Sequence, residues 1–245
     1  MAVDDEQFEA AVAADREGRP DEAYRLLEQV LARRRDELGP DHEDTLAAAD
    51  RFAGLVAELG DADFALAVDR DTLARRVRLH GVDDPRTLTT ASSLAATLAH
   101  VGELQEALRV YDDVHTRRRD VLGPDAPDTL DTGRNIVALG VAVGAIDLVR
   151  DLAQESLERH RRVFGEDDAR TIDAAHQFGA VLRGAGDVTW ARSVDAEVFA
   201  RANRVLGERH PWTLRSGGAL AVDAELLGDA GTATGWRQWL AERQG

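Results

Sequence analysis

Leu38-Gly39-Pro40-Asp41-His42-Glu43-Asp44-Thr45-Leu46 returns as Leu122-Gly123-Pro124-Asp125-Ala126-Pro127-Asp128-Thr129-Leu130, with glycine, proline, aspartate and threonine in register. Related stretches at 80–88, 164–172 and 206–214 place Gly81, Gly165 and Gly207 on the same track, every 42 residues. A second track with that period runs Gly18, Gly60, Gly102, Gly144, Gly186, Gly228. A period between about 20 and 50 residues marks stacked supersecondary units that bury each other's apolar faces.

Each stretch reads as stop, turn and start. Glycine fits the left-handed position that ends a helix. The aspartate that follows in most copies suits an N-cap, and proline suits the first turn. Five residues after each glycine of the second track stands Ala23, Ala65, Ala107, Val149, Ala191 or Ala233, small enough for two helix backbones to approach. Three residues further come Leu26, Val68, Val110, Leu152, Val194 and Trp236. Phe52, Leu94, Ile136, Phe178 and Leu220 form an apolar column on the preceding helix. A spacing of three is helical. The pattern predicts six antiparallel helix pairs in an all-α array. First helices fall near 4–17, 44–59, 86–101, 128–143, 170–185 and 212–227. Second helices fall near 20–37, 62–79, 104–121, 146–163, 188–205 and 230–243. The unbroken period predicts one domain over 1–245, in units of about 1–38, 39–80, 81–122, 123–164, 165–206 and 207–245.

Composition narrows the function. The 245 residues carry a formal charge of −16, and every one of the 30 basic side chains is arginine. Such a surface repels phosphate backbones and anionic lipid, which argues against nucleic acid as a main partner. Cysteine is absent, so disulfides and thiolate metal sites are excluded. The acidic start Met1-Ala2-Val3-Asp4-Asp5-Glu6 is no signal peptide, and no apolar run spans a bilayer; a cytoplasmic protein is expected. No phosphate loop, nucleophile elbow or metal-ligand pair appears, so neither enzyme activity nor a cofactor is expected. The acidic stretch from Asp61 to Asp69 lacks the glycine and closing glutamate of a calcium loop.

The unit resembles the tetratricopeptide repeat, in the 42-residue form of kinesin light chains and related bacterial proteins. The linkers at 38–46 and 122–130 carry the likeness, with Leu94-Ala95, Gly102 and Ala107. The resemblance implies a right-handed α-solenoid whose first helices line a concave groove and whose second helices form the convex back. Asp69 and Asp195 depart from it at a usually apolar position, and Ala145-Ile146 replaces the usual polar turn.

Under that analogy the groove columns fall in register. Gly54, Ala96, Ala138, Ala180 and Val222 would let a ligand backbone come close. Beside them run Asp50, Ser92, Arg134, His176, Gly218 and Arg51, Ser93, Asn135, Gln177, Ala219. Family members often hold a peptide backbone with asparagine in the latter column; here Asn135 matches and Gln177 is a longer amide. The candidate groove residues are therefore Arg51, Ser92, Ser93, Arg134, Asn135, His176 and Gln177. Of these Arg134, Asn135, His176 and Gln177 suit carboxylate or carbonyl groups. The expected function is a non-catalytic scaffold or regulatory adaptor for a peptide or protein partner.

The alternative is a self-assembling helical module working through its last helix and convex face. Trp239 and Leu240 either pack back onto the array, leaving a monomer, or join two chains. On the convex side Arg33, Arg75, Arg117, Arg159 and Arg201 repeat every 42 residues near helix ends. They complement the helix dipole there and suit pairing with the acidic linkers that follow.

Overall fold

A computed structural model describes residues Ala2–Gln244, with side chains described from 5 to 243. Among these residues the chain forms twelve helices and no strand. They are α1 Ala2–Arg16, α2 Pro20–Glu37, α3 Glu43–Glu58, α4 Ala62–His80, α5 Pro85–His100, α6 Leu104–Val121, α7 Pro127–Ala142, α8 Ile146–Phe164, α9 Ala169–Gly184, α10 Val188–Leu206, α11 Pro211–Leu226 and α12 Ala230–Gln244. Every expected bound lies within two residues of the one observed. The helices fall into two compact units, 1–123 and 124–245, each an all-α stack of three helix pairs. The division falls at Gly123-Pro124, in a linker that the sequence does not distinguish from the others.

All eleven glycines of the two tracks have positive φ, and among the described residues no other residue type does. The linker glycines differ from expectation in ψ. Gly81, with φ 87° and ψ 170°, and Gly207, with φ 90° and ψ 163°, sit in the mirror-extended region instead of the left-handed helical one. A Cβ is excluded there more strictly than at a left-handed helical cap.

An aspartate caps the helix as expected in two copies, and a histidine does so in two others. His42, Asp84, Asp168 and His210 accept the backbone N–H two residues on, at 2.9–3.2 Å. The preceding aspartates turn instead to the convex arginines. Arg75 and Arg78 donate to Asp41 at 2.8 and 2.7 Å, Arg117 to Asp83 at 2.7 Å, and Arg159 to Asp125 at 2.7 Å. Arg201 donates to Glu166 at 2.5 Å, and Arg243 carries the series on to Glu208 at 3.2 Å. The partner linker is thus the one preceding each second helix, about 34 residues upstream, and not the one following. The hydrogen bonds from Arg75 and Arg159 hold the Asp41 and Asp125 carboxyls below their ordinary range. These pairs are exposed and screened. Arg117→Ala is expected to cost under about 1 kcal/mol, with the loss shrinking at high salt in a urea titration.

Packing follows the small column. Ala23, Ala65, Ala107 and Ala191 are completely buried, and Val149 and Ala233 nearly so. The column at Leu26 and Val110 is only half-buried. One residue later, Leu27, Asp69, Tyr111, Ala153 and Asp195 face fully inward. At the end of the second unit Trp236 and Trp239 stack against Phe199, with ring centroids 4.7 and 5.1 Å away. A methyl group on Gly217 would lie 2.9 Å from Trp239 Cζ3 and 3.5 Å from Leu240. Both side chains therefore pack back onto α11.

Candidate groove residues

In the first unit one face of α3 meets the facing sides of α1 and α5 around a cavity of about 710 Å³. Its wall includes Asp15, Asp50, Arg51, Gly54 and Glu58, with Thr89, Ser93, Ala96 and His100 opposite. Of the expected groove residues Arg51 and Ser93 line it, whereas Ser92 is half-buried outside it. Arg51 donates to Asp15 at 3.3 Å, and the Ser93 hydroxyl returns to the Thr89 carbonyl at 3.2 Å.

Arg76 is the residue that sequence reasoning missed. It belongs to α4, yet its side chain is 4% exposed and reaches the cavity wall. One guanidinium nitrogen donates to the Arg86 carbonyl at 2.8 Å. The other lies 3.0 Å from Glu43 and 3.1 Å from Asp50. Arg34 does the same one unit earlier, donating to the Asp44 carbonyl at 2.9 Å. Arg34, Arg76 and Arg118 are all buried and spaced by 42 residues. That column was the available signal, hidden beside the half-buried arginines one residue before it. Burial pushes the Asp50 carboxyl up to about 6 even though Arg76 pulls the other way. Asp69 is buried completely and rises to about 6 for the same reason; it keeps one partner, the Thr97 hydroxyl at 2.6 Å.

In the second unit the expected donors are partly consumed. Arg134 donates to Asp173 at 2.6 Å, and the Gln177 amide points to the same oxygen at 3.4 Å. Asp173 is itself buried. His176 lies 3.8 Å from Asp195, its ring edge-on to Trp212. Burial, aided by Arg215, drives its pKa down to about 4, so the ring is neutral near pH 7. Behind it Arg183 bridges two fully buried carboxylates, reaching Asp223 at 2.7 Å and also Asp195. Burial raises the Asp195 pKa, as does the nearby Asp223. Asn135 is half-buried and bonded to no described side chain.

This arrangement can hold hydrogen-bonding groups along the first-helix faces. No helix of the described residues is long and apolar enough to cross a membrane. A comparison with curated protein sequences finds no match. Solved structures do share the fold. The nearly identical TPR-like repeats of Podosopora anserina, assigned to a kinesin light chain, superpose with a TM-score of 0.71 at 20% identity, over 82% of this chain and 95% of that one. BtubC (BKLC) of P. vanneervenii gives 0.72 at 17% identity, over 98% and 91%. A tetratricopeptide repeat protein of Parabacteroides merdae gives 0.66 at 13% identity, over 99% and 80%. Models of the tetratricopeptide repeat match residues 9–76, 87–128 and 171–211. With the helix pairs and their linkers, these matches make the chain a member of the tetratricopeptide repeat family.

Proposed function

We propose that this chain is a non-catalytic cytoplasmic scaffold that holds an extended segment of a partner protein against its first-helix faces. Tetratricopeptide repeats are in general protein-interaction scaffolds, and a fold alone does not name a partner. Asn135 carries the reading. Its amide offers both a donor and an acceptor, the pair that a peptide unit presents in return. It is left without a protein partner beside the small side chain of Ala138. Arg134 and Gln177 border it and hold Asp173 in place.

The test begins with partners retained by the purified chain and identified by mass spectrometry. Replacing Arg134, Asn135 and Gln177 together by alanine is expected to abolish retention while the helical circular dichroism signal stays. Asn135→Ala alone breaks no described side-chain contact and should still weaken the partner about tenfold. Unchanged affinity in both variants removes the groove assignment.

A further inference from the structure

The cavity of the first unit has a lopsided hydrogen-bond inventory. Its guanidinium groups face carboxylates of the protein itself, although Arg76 Nε is buried without a hydrogen-bond partner. Arg51 holds Asp15, Arg76 holds Asp50 and Glu43, and Arg86 gives two N–H groups to Asp84 at 2.9 Å. The hydroxyls are committed too. Thr89 donates to the Pro85 carbonyl, Ser93 to the Thr89 carbonyl and Thr97 to Asp69. The other capacity left open is that of acceptors. Asp50 Oδ1 is buried and hydrogen-bonded to nothing, on a side chain only 12% exposed. Behind Thr97 the fully buried Asp69 also keeps Oδ1 without a partner. Glu58 is exposed on the wall and pairs with no described residue.

Asp50, Gly54 and Glu58 stand at i, i+4 and i+8 of α3, hence on one face. Glycine weakens a helix interior relative to alanine, so its presence there calls for a reason. Packing supplies none: a methyl group on Gly54 would meet nothing within 4 Å. The result is an open slot over Gly54 with a carboxylate one turn to either side. We infer that this slot takes a lysine or arginine side chain of a partner segment, with its cationic head between Asp50 and Glu58. An anionic side chain would instead meet Asp15, Glu43, Asp50 and Glu58 on a wall whose arginines are already bound. The inference rests on the groove reading above and adds the sign of the charge that the groove selects.

The test uses the full chain and a fluorescein-labelled peptide of alternating lysine and serine, followed by anisotropy at physiological salt. The lysine peptide is expected to bind, and its glutamate counterpart is not. Gly54→Leu fills the slot without touching a charge, and Glu58→Gln removes one charge without touching the core. Each should weaken binding about tenfold. Asp151→Asn, on the exposed side of α8, should change it less than about twofold. Equal losses in all three variants, or none in the first two, would mean that the bulk charge of −16 draws in any cation, and would overturn the inference. So would spermidine displacing the peptide as well as unlabelled peptide does, since a free polyamine would then be the occupant. Should Gly54→Leu lose its helical signal, Glu58→Gln decides. Failure of the lysine peptide beside a partner lost in Asn135→Ala would sink the charge assignment and leave the groove reading standing.

Discussion

Gly140→Leu is expected to destabilise the second unit by about 3 kcal/mol, and Val149→Ala in the same chain to restore most of that loss. Gly140 lies in the buried face of α7, where it accepts the backbone N–H of Ala145 at 2.8 Å. A methyl group added to it would overlap the Val149 side chain, whose Cγ2 atom would lie 2.9 Å away. Val149 occupies the column that is alanine in every other unit, and Gly140 the column that holds Val56, Leu98 and Leu182. Volume has moved from one helix of the pair to the other. Leu98 and Leu182 are almost completely buried against Ala107 and Ala191, so the double variant recreates an arrangement already present elsewhere in the chain. It also removes a glycine from the last turn of α7, which offsets the cost by less than about 1 kcal/mol. Urea midpoints at constant m-value decide the matter. A double variant no more stable than Gly140→Leu alone would show that the two positions do not share one volume.

Much of this was legible in the sequence, because a residue type that only one backbone conformation requires is a strong signal. The glycine tracks located the ends of α1 to α11, since positive φ is costly to any side chain. Which linker residue caps was not legible in the first copy, for an instructive reason. Asp41 and His42 are both able to cap, and the convex Arg75 and Arg78 claim the first, leaving the second to the helix. Arg75 and Arg76 are likewise adjacent and chemically identical, yet the fold exposes one and buries the other. Nothing in the residue type marks the buried member, because arginine is ordinarily a surface residue. The first-helix columns were legible. What each column offers a ligand was not, since Arg134 is spent on Asp173 and Arg51 on Asp15, and both partners come from a different helix.

Along the first-helix faces Arg51 and Arg134 pair with carboxylates, while Asp50 Oδ1 and the Asn135 amide stay unpaired. Buried charge is retained in such networks at a cost in stability, because desolvation weakens what pairing gains. The first unit stores this cost in Asp50 and Asp69, and the second in Asp195 and Asp223 around Arg183. The two aspartates that break the apolar pattern in α4 and α10 are members of these networks.

Asp69→Asn is expected to stabilise the first unit above neutral pH by up to about 3 kcal/mol, and to leave stability nearly unchanged at pH 4. The carboxyl rises from an ordinary 3.8 to about 6 because it is fully buried, with the Thr97 hydroxyl as its compensation. A folded-state value above the unfolded one means that the native chain binds the proton more tightly. Its stabilising contribution is complete below about pH 4 and is lost as pH rises through about 6. A rise of about two pH units corresponds to about 3 kcal/mol. Asparagine cannot ionise, and its carbonyl can still accept the Thr97 hydroxyl. Other carboxylates run in the opposite direction: Asp84 and Asp168 are held low by the arginine two residues on, and their contribution is lost as pH falls. The readout is accordingly the difference between variant and wild type, taken from urea titrations at pH 4, 6 and 8. A difference that is flat across that range would mean that Asp69 is ionised at no cost in the folded chain. A difference that grows with pH would place a buried electrostatic cost of the first unit behind the cavity wall, one hydroxyl away from the slot at Gly54.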